Sequence, residues 1–183
     1  MVNVMKYTLI RLFISVLPSG VIRTKWIERL HIFKKTGKNF YFCPRKLPAD
    51  PKLIEFGNNV AVATDVMFIN HDVSQKVFNN MKKKQLPKYF GCIRVGNNVF
   101  IGAKATILPD IEICDNVFIA AGAVVTKSIT KSGIYGGVPA KYIGDMDELY
   151  NKRIEKYIAI VDGKTGLELY SSLWSDFNLN HRL

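Results

Sequence analysis

With 183 residues and 48% hydrophobic residues, the chain is long and apolar enough to bury the core of one domain, and its composition excludes an intrinsically disordered protein. The net charge of +11 predicts attraction to polyanions, such as the phosphates of a cofactor or an anionic membrane surface, unless the basic surface has no ligand. No nucleic-acid partner is expected, because no nucleic-acid-binding motif accompanies the charge.

The first 37 residues are predicted to form a helical region. Residues 7–17 are apolar, but this run is too short for a transmembrane helix and is followed by Pro18 and Gly20. Arg11 interrupts the run and no small-residue cleavage site follows it, which argues against a signal peptide. We therefore expect an amphipathic helix that lies either on the rest of the protein or on a membrane surface.

A second helix is predicted before Gly37. Its apolar residues recur at helical spacing and should form one buried stripe, consisting of Ile22, Trp26, Leu30 and Phe33. The basic residues of this segment are expected to be exposed, namely Arg23, Lys25, Arg29, Lys34 and Lys35. Three prolines then exclude long helices from residues 40–56.

A strict period of six dominates the middle of the chain. Aliphatic residues occupy every sixth position at Val95, Ile101, Ile107, Ile113, Ile119 and Val125. A second series follows four residues behind each of these, at Val99, Ala105, Ile111, Val117, Ala123 and Ile129. Helices repeat near 3.6 residues and open-sheet strands near 2, so a repeated short strand and turn, as in a β-helix, explains the pattern better. Both series are predicted to form the core, as are Phe56, Val62 and Phe68 earlier in the chain.

The period is interrupted between Phe68 and Val95. These residues are 27 positions apart, which is not a multiple of six, so residues 72–92 are expected to leave the stack as an excursion. An excursion of this length without a secondary-structure element of its own is usually a functional loop, and this one ends near Tyr89 and Phe90. After residue 144, a charged helix from Met146 to about Ile158 and a tail are predicted for residues 145–183.

Several motifs resemble the hexapeptide-repeat acyltransferases. The sequence Val-Gly-Asn-Asn-Val-Phe-Ile-Gly-Ala begins at Val95, and further matching motifs occupy residues 107–109, 119–127 and 137–141. Residues 53–60 and 68–72 are similar to the first repeat block of that family. Within that family, the motifs most resemble those of the O-acetyltransferases that modify capsular and other surface polysaccharides, and those of maltose and xenobiotic acetyltransferases. The resemblance covers about residues 52–144.

The resemblance implies an all-β core, a left-handed parallel β-helix at residues 38–144, with N-terminal helices, the excursion loop and a C-terminal helix attached. Stacked coils would pair Val95 with Ile113, Ile101 with Ile119 and Ile107 with Val125. Members of the family are typically homotrimers that bind acetyl-CoA between neighbouring subunits. Two positions depart from the pattern, because Cys114 and Asp110 stand where glycine is common. Asp tolerates a left-handed backbone, so the turn at Asp110 is expected to persist.

Of the three histidines, only His71 lies within the repeats. A γ-class carbonic anhydrase needs three metal-binding histidines, so the positions of His31 and His181 exclude it, and no metal site is predicted. His71 is the last residue before the excursion and lies outside the core positions. Because imidazoles titrate near neutral pH, a histidine here is suited to remove the proton of an acceptor hydroxyl, as the resemblance implies.

A second group is expected to orient the histidine. Asp72 and Glu55 are the candidates, although Asp72 could instead cap a turn and Glu55 could be a solvated surface residue. For the cofactor, the resemblance implies that the amides near Ala103 and Ala121 bind the pantetheine arm. It also implies roles around the CoA nucleotide for Thr126, Lys127 and Lys141, and a position beside the acyl site for Phe100.

These observations predict an acetyl-CoA-dependent O-acetyltransferase that acts on a hydroxyl of a saccharide, with His71 as the general base. The same fold could instead serve an amino sugar or a small xenobiotic, or form a non-catalytic assembly scaffold. The three cysteines lack the number and spacing of a disulfide framework, which favours a reducing compartment. We therefore expect a cytoplasmic protein, associated with the inner membrane face if the N-terminal helix lies on lipid.

Overall fold

Short parallel strands build most of the first of two units, Met1–Ile143, while the second unit is Gly144–Leu183. The structure, a computed structural model, describes residues 2–83, 85–161 and 163–181. In chain order the strands are β1 (Tyr41–Phe42), β2 (Ile54–Phe56), β3 (Val60–Val62), β4 (Met67–Phe68), β5 (Ile93–Val95), β6 (Val99–Ile101), β7 (Thr106–Ile107), β8 (Ile111–Ile113), β9 (Val117–Ile119), β10 (Val124–Val125), β11 (Gly133–Gly136) and β12 (Lys141–Gly144).

The strands form three sheets, which are the faces of a parallel β-helix. Face A contains β2, β5 and β8, face B contains β1, β3, β6, β9, β11 and β12, and face C contains β4, β7 and β10. The chain visits the faces in the order A, B, C, so each regular coil takes 18 residues. The predicted pairs are all confirmed: Val95 with Ile113, Ile101 with Ile119 and Ile107 with Val125.

The core is the one that the six-residue period predicts. Each member of the main series, from Val95 to Val125, is at most 1% exposed, and the second series is buried as well. At the N-terminal end the aliphatic column is closed by aromatic rings. Phe56 contacts Phe33, Phe40 and Phe68 at ring-centroid distances of 4.9, 4.8 and 5.6 Å. Because an open end would expose the column to water, this cluster seals it.

The corners of the coils require a left-handed backbone, and asparagine supplies it between faces A and B. Asn59, Asn98 and Asn116 have φ values of 55°, 55° and 58°, which Asn tolerates better than most residues. Their side-chain amides also donate from one coil to the next, at 3.0 and 2.9 Å. The expectation for Asp110 is confirmed, because its φ is 58°.

The first helix, α1 (Val2–Val16), packs on the β-helix unit as one of the two predicted alternatives requires. Ile14 is fully buried, and the Arg11 guanidinium donates to the carbonyl oxygens of Pro48 and Ala49 at 2.6 and 2.5 Å. None of the helices in the described part of the chain contains an apolar stretch that would span a bilayer.

The second helix, α2 (Gly20–Arg29), differs from the prediction in its end and in its buried face. It ends eight residues before Gly37, and it buries Arg23, Thr24 and Ile27, whereas Ile22 and Leu30 are exposed. Arg23 was expected to be exposed, but its guanidinium donates to the carbonyl oxygens of Leu17 and Cys43 at 2.6 and 2.7 Å. These hydrogen bonds satisfy Nη1 and Nη2 of the buried guanidinium, whereas its Nε has no partner among the described residues. The burial of Arg23 turns the helix away from the predicted stripe.

The excursion and the C-terminal unit contain more helix than the sequence indicated. Helix α3 (Gln75–Lys82) lies inside residues 72–92, so the expectation of a segment without secondary structure was wrong. In the second unit, α4 (Met146–Val161) confirms the predicted charged helix, and α5 (Gly166–Asn180) forms in the segment interpreted as a tail. The two helices pack against each other. Arg182 and Leu183, at the end of the predicted segment 145–183, lie outside the described residues.

Candidate active site

His71 lies where face C ends and the chain leaves the β-helix. Beyond β4, the amide of Ile69 still donates to the carbonyl of Ile107 at 2.9 Å, and the side chain of Asn70 is buried. His71 pairs with Phe90 in an isolated antiparallel bridge, and the Gly91 amide donates to the carbonyl of Asn70 at 2.7 Å. The excursion therefore departs and returns at the same point, which fixes the backbone of His71.

The acid in contact with His71 is Asp50, a residue that the sequence did not single out. Nδ1 of His71 lies 2.6 Å from Oδ2 of Asp50. An ionised carboxylate can only accept hydrogen bonds, so in the neutral imidazole this contact assigns the hydrogen to Nδ1 and leaves the lone pair on Nε2. The His71 side chain is 21% exposed and that of Asp50 is 39% exposed. The imidazole is thus held in one orientation, with a basic nitrogen available to a substrate.

Asn70 holds Asp50 in place beneath the histidine. The amide of Asp50 donates to Oδ1 of Asn70, and Nδ2 of Asn70 donates to the carbonyl of Asp50, both at 3.3 Å. Asn70 is only 1% exposed, so these bonds satisfy a buried amide and position the neighbouring carboxylate at the same time. Asn70 therefore orients Asp50, and Asp50 in turn orients the imidazole of His71.

The structure does not bring the two predicted acids into hydrogen-bond contact with His71. Asp72 accepts hydrogen bonds from the amide and the hydroxyl of Ser74, at 3.0 and 2.7 Å. These bonds lower the pKa of the Asp72 carboxyl, and the charge of nearby His71 adds a smaller effect in the same direction. Glu55 projects from face A and its Oε2 lies 3.3 Å from Nε of Arg94. Asp72 therefore caps a turn, which was the alternative predicted for it, and Glu55 forms an ion pair at the surface.

Asp50 escaped prediction because it precedes the regular coils. It is 21 residues before His71, whereas stacked positions in regular coils are 18 residues apart. The 3₁₀ turn at Pro51–Leu53 takes up part of the difference. The usable signal was weak: an acidic residue about one coil before a candidate base, in a proline-rich stretch.

The return of the excursion forms a wall beside the histidine. The ring of Phe90 lies 5.5 Å from that of His71, and Nζ of Lys88 lies 4.9 Å from the Phe90 ring centroid. The hydroxyl of Tyr89 donates to a carboxylate oxygen of Asp110, which raises the pKa of Tyr89. A Cβ on Gly91 would come within 2.6 Å of the Asp110 amide nitrogen, so this return needs glycine. An apolar ring therefore flanks His71 on one side, and the ammonium of Lys88 lies over that ring.

The predicted pantetheine contacts lie at the corner between faces B and C. There the Gly122 amide donates to the carbonyl of Ala103 at 2.8 Å, stacking the turn at Ala121 on the turn at Ala103. Within the described residues, no hydrogen bond starts from the backbone N–H of either alanine. Two amides without a partner among the described residues therefore lie at this corner, where the side chains are small.

The other predicted cofactor residues fall into two places. The strands of face C align Phe68 with Ile107 and Ile107 with Val125. Thr126 and Lys127 therefore follow face C at the same corner as His71. They are separated from His71 by two strand spacings, or about 10 Å, along the axis of the β-helix. Both side chains are exposed. The Ala140 amide donates to the carbonyl of Val124 at 2.8 Å, which places the exposed Lys141 next to the same last coil.

Phe100 points outward from face B. Its ring packs on that of Phe118 at 5.4 Å, away from the corner that contains His71. The described residues contain no group of three His, Cys, Asp or Glu side chains that could hold a metal ion.

Comparisons with known proteins agree with this fold. Residues 92–127 match the family model described as bacterial transferase hexapeptide (six repeats). The maltose O-acetyltransferase from Clostridium difficile 630 superposes with a TM-score of 0.57 at 26% identity, covering 76% of this chain and 83% of that one. The repeat and this likeness confirm the expected left-handed parallel β-helix.

Curated relatives share the repeat region. The galactoside O-acetyltransferase of Escherichia coli (strain K12) is 32% identical over 114 residues, which are 61% of this chain and 54% of that protein. Protein CapG of Staphylococcus aureus is 39% identical over 109 residues, which are 58% of this chain and 61% of that protein. The chain therefore spans between half and two thirds of the length of these two relatives.

Proposed function

Because this chain carries the bacterial transferase hexapeptide repeat on a left-handed β-helix, we propose that it is an acetyl-CoA-dependent O-acetyltransferase that acts on a hydroxyl of a saccharide. The observation that carries the proposal is the 2.6 Å contact between Asp50 and His71. A scaffold would have no use for a histidine held with its second nitrogen available. The saccharide acceptor is supported by the galactoside and maltose acetyltransferases among the similar proteins.

In the proposed reaction His71 acts as the general base. Its Nε2 takes the hydroxyl proton while the acceptor oxygen attacks the thioester carbonyl carbon, and Asp50 stabilises the imidazolium that forms. The new carbon–oxygen bond replaces the carbon–sulfur bond, and the imidazolium returns its proton to the departing thiolate. The products are the acetyl ester and CoA with a free thiol, so the proton balances without an external acid or base.

For the donor, we propose contacts along the B-to-C corner and at the last coil. The amides of Ala103 and Ala121 would bind the pantetheine arm, and Phe100 would lie near the acyl end. Thr126, Lys127 and Lys141 would hold the nucleotide, since lysine is suited to phosphate as a point charge. Acetyl-CoA is a cytoplasmic metabolite, so we assign the reaction to the cytoplasm.

Calorimetry with acetyl-CoA tests the donor assignment. The Lys127→Ala/Lys141→Ala variant is expected to bind acetyl-CoA about ten- to a hundredfold more weakly and with less salt dependence, because two charge-assisted contacts are lost. The matched control, Lys38→Ala/Lys46→Ala, removes the same charge from exposed positions far from the last coil and should bind like the wild type. If the wild type, the variant and the control all bind acetyl-CoA equally well, Lys127 and Lys141 are solvated surface residues without a role in binding the donor.

We propose that the working form is a homotrimer. His71 and the two alanine amides lie at different corners of one β-helix, so a groove between neighbouring chains could present both to one substrate. Light scattering should report a particle of three times 20.7 kDa, and a monomer at assay concentration would contradict a shared site.

A panel of acceptors then distinguishes the proposed substrate class from its rivals. Acetyl transfer to saccharide hydroxyls is expected. Transfer only to amino sugars or to a small xenobiotic would keep the fold and the base but change the acceptor, and tight acetyl-CoA binding without any transfer would leave the acceptor unassigned. Failure to bind acetyl-CoA at all would favour the scaffold.

A further inference from the structure

Helix α1 is apolar on two opposite faces. Its inner face buries Ile14 and packs Ile10 against the core. Its outer face carries Leu9, Leu12, Phe13 and Val16 at positions i, i+3, i+4 and i+7, with exposed fractions of 63%, 64%, 38% and 65%. We refer to these four residues as the outer stripe. An apolar helix face is normally covered by a packing partner, and the β-helix covers only the inner of these two faces.

The outer stripe continues onto α2 through aromatic and basic side chains. The ring of Phe13 meets that of Trp26 edge-on at 5.1 Å, and the guanidinium of Arg29 lies 5.3 Å from the Trp26 ring centroid. Lys25 is exposed beside Trp26. A tryptophan with a neighbouring arginine, at the border of an apolar surface, is an arrangement typical of the boundary between lipid and water.

A further cation marks the C-terminal end of α1. Nη1 of Arg45 donates to the carbonyl oxygens of Ser15 and Leu17 at 3.0 and 3.4 Å, so this exposed guanidinium is held beside the outer stripe. Cations therefore border the stripe at two sides, at Arg45 and at the pair Lys25 and Arg29.

The distribution of charge decides which occupant fits this surface. Residues 1–52 contain eleven of the 26 Lys and Arg residues but only two of the 15 Asp and Glu residues. A second copy of the same surface would bring like charges together, which opposes a dimer through the stripe. An anionic lipid surface offers both an apolar layer for the stripe and phosphates for the cations.

We propose that α1 lies in the headgroup layer of an anionic membrane, with Leu9, Leu12, Phe13 and Val16 inserted among the lipids and with Lys25, Arg29 and Arg45 at the phosphates. The helix lies in the plane of the membrane, and the protein binds as a peripheral protein. This inference does not depend on the proposed acetyl transfer. If both hold, acceptors displayed at a membrane surface meet the enzyme at a raised local concentration.

Flotation of the full chain with vesicles tests the proposal. We expect binding to vesicles of equal parts phosphatidylglycerol and phosphatidylcholine, and at least tenfold weaker binding to pure phosphatidylcholine. Leu9→Gln/Leu12→Gln/Val16→Gln should lose at least tenfold in binding to the anionic vesicles. The control, Val73→Gln/Val77→Gln/Met81→Gln, changes three exposed apolar residues in and before α3 and should bind like the wild type. Circular dichroism and thermal unfolding verify that each variant is folded.

A second pair of variants tests the electrostatic part. Lys25→Glu/Arg29→Glu should weaken binding to anionic vesicles at least tenfold and reduce its salt dependence, whereas Lys76→Glu/Lys104→Glu, with the same change of charge, should not. The proposal is overturned if the wild type does not float with anionic vesicles, or if each control loses as much binding as its partner. It is also overturned if the stripe variant lowers the mass of the particle in light scattering without lipid and leaves flotation unchanged, since a second copy would then be the occupant.

Discussion

Replacing His71 by alanine is expected to lower the turnover of acetyl transfer by about 10²–10⁴-fold, the usual cost of removing a positioned general base. Without the imidazole, the acceptor hydroxyl must lose its proton to water while it attacks the thioester. Binding of acetyl-CoA and the particle mass should be unchanged, because His71 lies outside the core and outside the predicted donor contacts. Steady-state rates with a competent acceptor measure the effect.

His71→Asn separates proton transfer from hydrogen bonding at the same position. Asparagine can bond to a hydroxyl but cannot take up a proton near neutral pH, so it should be about as slow as alanine. If His71 were only a surface residue at the base of the excursion, both variants would turn over at wild-type rates and unfold within about 0.5 kcal/mol of the wild type. That outcome would remove most of the case for an acetyltransferase.

Asp50→Asn is expected to lower turnover by about 10²–10³-fold while the acetyl-CoA affinity stays unchanged. The carboxylate keeps the hydrogen on Nδ1, whereas an asparagine amide can donate to Nδ1 and favour the tautomer that carries its hydrogen on Nε2. In that tautomer the base is blocked. The expected loss is smaller than for a fully buried triad acid, because Asp50 is 39% exposed and solvent partly replaces it.

Two neighbouring acids provide matched controls for Asp50. Asp72→Asn changes the same group one residue from His71, and Glu55→Gln changes the other acid that the sequence suggested. Both are expected to stay within about threefold of wild-type turnover, because their hydrogen bonds go to Ser74 and Arg94. A large loss in Asp72→Asn together with a normal Asp50→Asn would reassign the orienting role to Asp72. A loss of turnover in Asp50→Asn with unchanged acetyl-CoA affinity indicates that Asp50 positions His71, whereas a loss of both would indicate that the variant is not properly folded.

Gly91 and Asp110 connect this chemistry to the fold. Gly91 lets the returning chain lie against the backbone of Asp110, and Asp110 accepts hydrogen bonds from Tyr89 and from the amide of Cys92. The excursion is therefore closed by contacts to the next coil, and the Phe90 wall beside His71 follows from that closure. Asp110, which stands where glycine is common, therefore helps to hold the excursion in place beside the site.

The sequence by itself determined the parts of the fold that repeat. A β-helix coil puts every sixth side chain inside, so the positions of Val95, Ile119 and their equivalents specified the core and the pairing without any long-range information. The motifs that resemble the acyltransferases likewise predicted the region in which a base and a donor groove should lie. His71 stood out because the period fails directly after it.

Only the tertiary structure decided the contacts made where the repeat is broken. Asp50 reaches His71 across 21 residues that include a 3₁₀ turn, so no fixed spacing could have paired them. Arg23 is buried because its guanidinium donates hydrogen bonds to the carbonyl groups of Leu17 and Cys43. These contacts, rather than the predicted apolar stripe, decide which face of α2 is buried. The periodicity of α1 allowed packing on the protein or on lipid. The structure buries Ile14 against the β-helix unit and leaves Leu12 exposed. Hydrogen bonds and burial depend on neighbours in space that local sequence does not encode.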